Sequence, residues 1–283
     1  MSKLIQMRRR IKAIEIIKKI THAMRLISMS LHSRLKHKQV TLLEYRNTIS
    51  TLLAKVQQTV PDWQHPIMHP TLPPRENPLI IVIGSQKGLC GSFNTALFQL
   101  LSQKIEQYTT QRTFVAVGKK IVEFIQENHP EQLAFTFEEF TARNFLSIAQ
   151  QLIDIIMQAS PHYSSVVVFG NTFKGFFTQK PTVSLLIPFD PETVPTSKPP
   201  REGYIWDQSS TTVLDFIAQQ YITAQLQHTL FESLLSEHAA RFLSMDSSTR
   251  NADKLLETTK LEYNKLRQAK ITKELIELVG SFQ

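Results

Sequence analysis

A chain of 283 residues with 42% hydrophobic content is long enough to bury a sizeable core, and that content argues against wholesale disorder. A single cysteine, Cys90, excludes an intrachain disulfide and fits a reducing compartment. No run of 18 uncharged apolar residues is present, and the basic N-terminus lacks the contiguous apolar stretch and cleavage pattern of a signal peptide. The formal charge of +8 is unevenly placed. Residues 1–59 carry 13 Lys and Arg against Glu15 and Glu44, a net +11, which leaves the other 224 residues at −3.

Glycine and proline punctuate only the middle of the chain. The first Pro is Pro61 and the first Gly is Gly84; no Pro follows Pro200, and no Gly lies between Gly203 and Gly280. With ordinary usage near 7% Gly and 5% Pro, two such unbroken ends predict helices. Their expected lengths are roughly 55 and 70 residues, about 80 and 105 Å at 1.5 Å per residue. Helices this long belong to coiled coils or bundles. In the first, over residues 1–58, the row Ile16, Ile20, Met24, Ile27, Leu31, Leu35, Leu42, Ile49 and Val56 predicts the seam. In the last, over 209–283, Ile217, Ala224 and Phe231 step by seven, as do Ala269 and Ile276. Between these lies the polar stretch 246–254, which predicts fraying or a partner that is not an apolar helix.

Residues 59–78, with six prolines from Pro61 onward, read as a rigid linker. From Leu79 to about residue 208 the period changes. Leu79–Ile83, Thr113–Val117 and Ser165–Phe169 predict short buried strands, separated by helical stretches at Ser92–Gln107, Lys119–Asn128 and Arg143–Gln158. This is the pattern of βαβ units, a small Rossmann-like parallel-sheet domain. A further edge strand is expected at Thr182–Pro188, reached by a hairpin from Asn171–Lys180. The predicted fold class is therefore α/β, with a long antiparallel coiled coil of N- and C-terminal helices flanking that domain.

Candidate sites are few. The loop Gly84–Gly91 follows a strand and opens a helix, yet it has neither the spacing nor the Lys-Ser/Thr of a phosphate loop, and only half of a dinucleotide fingerprint. It reads as a structural turn, with Cys90 as packing. His65 and His69 have prolines after them, and no histidine spacing suggests a metal. The chain is expected to hold no catalytic residue, cofactor or metal. The strongest polar signal is Arg8, Arg9 and Arg10 with Lys12, Lys18, Lys19 and Arg25. Such a helix can clamp phosphates of nucleic acid or dock on acidic protein loops. Ile11, Ile14, Ile17 and Ile20 are interleaved densely enough to fill two faces, which favours insertion between proteins.

Several segments resemble the gamma subunit of the rotary F-type ATP synthase: Arg10-Ile-Lys-Ala-Ile14, Lys19-Ile-Thr-His-Ala-Met24, Lys87-Gly-Leu-Cys-Gly-Ser-Phe-Asn94, Thr178-Gln-Lys-Pro-Thr182, Ser236-Glu-His-Ala-Ala-Arg241, Met245 to Asp253, and above all Tyr263 to Val279. They run in family order along almost the whole chain. The resemblance implies a non-catalytic central stalk inside a ring of alternating alpha and beta subunits. Its foot would be held by the epsilon subunit and the membrane rotor ring (c-ring), peripheral on the cytoplasmic face of a bacterial inner membrane, with no nucleic acid bound. It implies hexamer contacts at Met24, Arg25, Arg241, Arg267 and Gln268, joined by the arginines 8–10, and rotor-ring contacts at Tyr204, Trp206 and Asp207. The sequence departs from the family's usual small, alanine-rich stretch at Arg25–His32 and has Gly91-Ser92 in place of paired glycines. The two-cysteine redox insertion of chloroplast forms is absent.

Overall fold

The computed structural model describes residues 2–58, 60, 63, 65, 77–108, 111–159, 163–189 and 207–280. In chain order the elements are α1 (Ser2–Gln57), β1 (Leu79–Ile83), α2 (Phe93–Ile105), β2 (Thr113–Val117), α3 (Lys119–Asn128), β3 (Leu133–Phe137), α4 (Phe145–Ala159), β4 (Val166–Gly175), β5 (Thr178–Ile187) and α5 (Ser210–Gly280). The terminal helices have 56 and 71 residues, close to the lengths set by the missing glycine and proline. The chain forms two compact units, residues 31–240 and the pair of end segments 1–30 with 241–283.

The larger unit is built on a five-stranded sheet in the order β3-β2-β1-β4-β5. The first four strands are parallel, and β5 returns antiparallel to β4 as a hairpin. β1 lies centrally and is buried on both faces, which explains its uninterrupted run of Leu and β-branched residues. Its alternate residues feed two cores. Ile80 and Val82 join Leu97, Leu101, Phe114 and Ile121 under α2 and α3. Leu79, Ile81 and Ile83 join Leu53, Leu152, Ile222, Leu230 and Phe231, so this second core includes α1, α4 and α5.

Within this unit the expected seams hold. Leu35 and Val56 are buried, Leu31, Leu42 and Ile49 partly so, and Ile217, Ala224 and Phe231 are buried on α5. β3 had no counterpart in the sequence reading. It is an edge strand whose middle residues are exposed, so it lacks a run of buried apolar side chains. The hairpin strands are also longer than expected, because the pairs Asn171–Pro181 and Thr172–Lys180 extend the ladder beyond its apolar part.

In the smaller unit the two helices run antiparallel. Arg8 meets Tyr263, Lys18 meets Asp253, Thr21 meets Thr249 and Arg25 meets Asp246. The seam here differs from the expected one. Ile16, Ile20 and Ile27 are 58%, 51% and 56% exposed, while Ile14, Thr21 and Ser28, also seven apart, are buried. On α5 the facing row is Met245, Thr249, Ala252, Leu256, Thr259 and Tyr263, in alternating steps of four and three. Small and hydroxylated side chains share this seam with Ile14, Met245 and Leu256, and ion pairs flank it. That arrangement explains why the stretch 246–254 stays helical despite its polarity: Asp246, Thr249 and Asp253 have partners on α1. Ala269 and Ile276 are exposed, so their seven-residue step marks no contact within the chain.

Candidate interaction surface of the helix pair

In the smaller unit α1 and α5 present charge held in fixed geometry beside bare apolar rows. Arg25 donates from one terminal nitrogen to Asp246 Oδ1 at 2.8 Å, and its other terminal nitrogen lies 3.2 Å from His22 Nδ1. Arg250 reaches the second oxygen of Asp246 at 2.7 Å, so one carboxylate joins both helices. Lys18 pairs with Asp253, and Lys260 with Glu15 at 3.1 Å. The Arg8 Nε donates to Tyr263 Oη at 2.7 Å, with the guanidinium carbon 5.6 Å from the ring centroid. The Thr21 and Thr249 hydroxyl oxygens lie 3.0 Å apart, buried.

The predicted contact residues separate into classes. Arg9, Arg10, Arg267 and Gln268 are exposed. Met24 is half-buried, and Arg8 and Arg25 are occupied by partners on α5. Arg241 is buried, at 6% exposure, so it is a built-in group rather than a surface contact in the chain itself. Asp207 is exposed in the larger unit, whereas Tyr204 and Trp206 lie outside the described residues.

The sequence reading missed Asp246 and Asp253, yet a signal existed. Lys18 and Arg25 are seven apart, as are Asp246 and Asp253, and an antiparallel pair matches two such couples in reverse order.

Beyond this, Ile16, Ile17, Ile20, Leu26 and Ile27 on α1 are all more than half exposed. So are Leu275, Ile276, Leu278 and Val279 at the end of α5, where all residues from 271 to 279 are exposed. Nine large apolar side chains bared on two helices exceed the scattered singles of an ordinary surface, and such patches mark interaction sites. With lysines and arginines adjoining, the surface suits partners that are apolar in one place and acidic in another.

The loop after β1 is closed on itself. Asn94 Nδ2 donates to Ser85 Oγ at 2.7 Å, Asn94 Oδ1 accepts from Ser85 N, and Ser85 Oγ donates to the Lys87 carbonyl at 2.8 Å. Cys90 is buried with Asn94 Nδ2 3.4 Å from its sulfur. Gly118, at φ +96°, brings the turn before α3 so close that a Cβ there would sit 2.5 Å from the Gly84 carbonyl oxygen. The close approach is therefore at Gly84 and Gly118, and Leu89 and Gly91 take the left-handed conformations of the turn. His65 stacks on Trp63 outside any helix, and His69 lies outside the described residues. Among the described residues no three His, Cys, Asp or Glu side chains gather as metal ligands, and no helix is long and apolar enough to cross a membrane.

Comparison with known proteins gives one consistent result. The family described as ATP synthase matches residues 3–283. The chain is 30% identical over 281 residues to the ATP synthase gamma chain of Desulfitobacterium hafniense, covering 96% of this chain and 95% of that one. It is 28% identical to the ATP synthase gamma chain of Geotalea uraniireducens, covering 99% and 98%. Among solved structures, a chain of the Euglena gracilis mitochondrial ATP synthase described as OSCP/F1/c-ring aligns with a TM-score of 0.74 at 18% identity, covering 99% of this chain and 94% of that one. A chain of the Tetrahymena thermophila mitochondrial ATP synthase, described as central stalk/c-ring, aligns with a TM-score of 0.59 at 20% identity, covering 81% and 98%.

Proposed function

The chain belongs to the ATP synthase family as a gamma-chain homologue, and from that membership we propose that it is the central rotor stalk of an F-type ATP synthase, coupling ion flow through a membrane ring to ATP synthesis and hydrolysis on beta subunits. It is a non-catalytic subunit. The observation that carries the reading is the bared apolar surface of the smaller unit, where Ile16, Ile20 and Ile27 on α1 and Leu275, Ile276 and Val279 on α5 face outward. A stalk needs such a surface, because a surrounding ring of alpha and beta subunits sheathes it.

The coupling follows from asymmetry. A two-helix rod inside a ring of three equivalent alpha–beta pairs touches each beta subunit differently. It therefore stabilises a different conformation at each site, and turning it by a third exchanges the three roles. Coupling of this kind requires differential contact free energy in each state. The exposed Arg9, Arg10, Arg267 and Gln268, with Met24 and Arg25, are the residues assigned to press on the beta subunits. Arg241, which is buried, acts from within the rod, and the exposed Arg8 braces α1 against α5 through Tyr263. The apolar rows serve as sleeves that bear load without locking into a single angle.

The larger unit, in this reading, carries the contacts with the epsilon subunit and the c-ring, through Tyr204, Trp206 and Asp207. The protein then lies peripherally on the cytoplasmic face of a bacterial inner membrane, a placement supported by its bacterial relatives. A free-standing basic coiled coil that binds nucleic acid is the rival. It would use the same N-terminal charge, but it gives no role to the bare apolar tip, since phosphates favour cations over Leu275 and Val279. Native mass determination of complexes from the source cell tests the choice. The stalk reading requires one copy of this chain with three alpha and three beta subunits. A mass equal to the chain alone, with salt-sensitive duplex binding, would establish the rival.

A further inference from the structure

The strands of the β4–β5 hairpin share a core with α5, and Ser236 donates to the Asn171 carbonyl, whereas the tip of the hairpin meets α1 at one imidazole. His32, on α1, is 6% exposed. Its Nδ1 lies 3.3 Å from the Leu235 carbonyl of α5. A carbonyl only accepts, so Nδ1 carries the proton and the neutral ring leaves Nε2 bare. Phe173 of the hairpin packs on the ring at 5.4 Å between centroids, and Phe176 meets it edge-on at 4.9 Å. Lys36, one turn along α1, places its ammonium 4.8 Å from the Phe173 centroid. The turn is stiffened by Gln179, whose side-chain nitrogen donates to the Gly175 and Phe176 carbonyls at 3.2 and 2.6 Å. Phe177, the next residue, is 80% exposed, so the seat on α1 is made by Phe173 and Phe176.

We propose that this contact is a proton-released clasp: the hairpin tip is docked on α1 while His32 is neutral and lifts from it when His32 takes up a second proton. The groups facing His32 argue for release. From α1 comes the Lys36 cation, from α5 a backbone carbonyl already served by Nδ1–H, and from the hairpin two uncharged rings. The one charge that acts on the ring is the Lys36 cation, which opposes a second proton. A charged imidazole here would be desolvated and would stand beside Lys36, which already occupies the Phe173 face. Burial, followed by the Lys36 charge, holds the His32 pKa below its ordinary value, while the Leu235 carbonyl acts in the opposite direction.

The direction with pH is fixed by that. In the lifted hairpin His32 meets water and titrates near 6.5. Docking is therefore at full strength above about pH 6.5 and is lost as pH falls below it. The ratio of lifted to docked hairpin rises by up to about tenfold per pH unit until the depressed pKa of the docked state is reached.

The experiment uses the full-length chain with Cys90→Ser and spin labels on cysteines at the exposed positions Thr41 and Thr178. Distance distributions are recorded between pH 8 and pH 5. A longer-distance population should grow below about pH 6.5, by up to about tenfold per unit. His32→Asn, which retains an N–H where Nδ1 stands, and His32→Phe, which retains a ring, should each give a pH-independent distribution. Lys36→Met should shrink the acid response, because removing the neighbouring cation brings the docked pKa closer to 6.5. A native distribution that does not change with pH overturns the clasp, as does an equal acid response in His32→Asn and His32→Phe. If both histidine variants stay undocked at every pH, Lys36→Met decides: a response as large as that of the native side chains overturns it.

Discussion

The three neighbouring arginines of α1 are set apart by the structure, and reversing them tests the stalk directly. All three are exposed, but Arg8 is also tied to Tyr263 by a 2.7 Å hydrogen bond and by its position over the ring. An exposed cation–π contact stabilises by about 0.5–1 kcal/mol and a hydrogen bond by about 0.5–1.5 kcal/mol net, so Arg8→Glu should cost the free chain about 1 kcal/mol at this exposed position. Arg9→Glu with Arg10→Glu should change the free chain by no more than about 0.5 kcal/mol, as surface substitutions do. In the assembled complex the order inverts. If Arg9 and Arg10 press on acidic loops of beta, each reversal makes a like-charge contact at a desolvated interface, at a cost of roughly 2–5 kcal/mol. The assay pairs thermal melting of the free chain with ATP hydrolysis and ion-gradient formation in vesicles, with subunit content and passive leak checked. The expected result is an unchanged melting temperature, persistent hydrolysis and fewer ions moved per ATP. If hydrolysis and pumping stayed proportional to wild type in the assembled Arg9/Arg10 variant, these residues would not be coupling contacts.

Three further outcomes are expected. A double-mutant cycle on Arg25→Ala and Asp246→Ala should give a coupling of about 1 kcal/mol, since both side chains are only about three-quarters buried and solvent weakens the pair; a value below about 0.3 kcal/mol in denaturant melts would mean that the bridge does not hold the helices. Gly118→Ala should lower stability by more than about 2 kcal/mol, because φ is +96° and the new Cβ would sit 2.5 Å from the Gly84 carbonyl oxygen, and a melting temperature within a degree of wild type would contradict that. His228 is held down to about 4 by burial, with the Arg46 guanidinium adding to it. Its contribution is full above pH 6.5 and is lost as pH falls towards 4, amounting to about 3 kcal/mol over that window. Denaturation at pH 7.5 and 4.5 should show a smaller acid loss in His228→Asn, and an equal loss would assign the acid sensitivity elsewhere.

Much of this was legible before the structure. The absence of Gly and Pro from the chain ends gave both helices nearly to the residue, because backbone breakers act locally. The runs at Leu79 and Thr113 gave central strands, because burial on both faces leaves an apolar sequence. What escaped lay where position depends on partners. Ile16, Ile20 and Ile27 look like a seam, since sequence reports that a side chain is apolar and not which surface covers it. The actual row through Thr21 and Ser28 is small and polar, and it is recognisable only once the Lys18–Asp253 and Arg25–Asp246 couples are aligned. β3 escaped because an exposed edge strand has no need of an apolar run. Of the site residues, Arg8 and Arg25 proved to be engaged within the chain, a distinction that the charge run alone does not carry.

Rotation itself is the measurement that separates a stalk from a scaffold. With the alpha–beta ring fixed to a surface, a bead is attached through a cysteine at the exposed position Gln103 of the chain, in a Cys90→Ser background, and ATP is supplied. The rotor account predicts rotation in one direction, in three main steps per turn, which stops when ATP is withdrawn. ATP hydrolysis at a normal rate beneath a bead that shows only Brownian motion about one angle would contradict it.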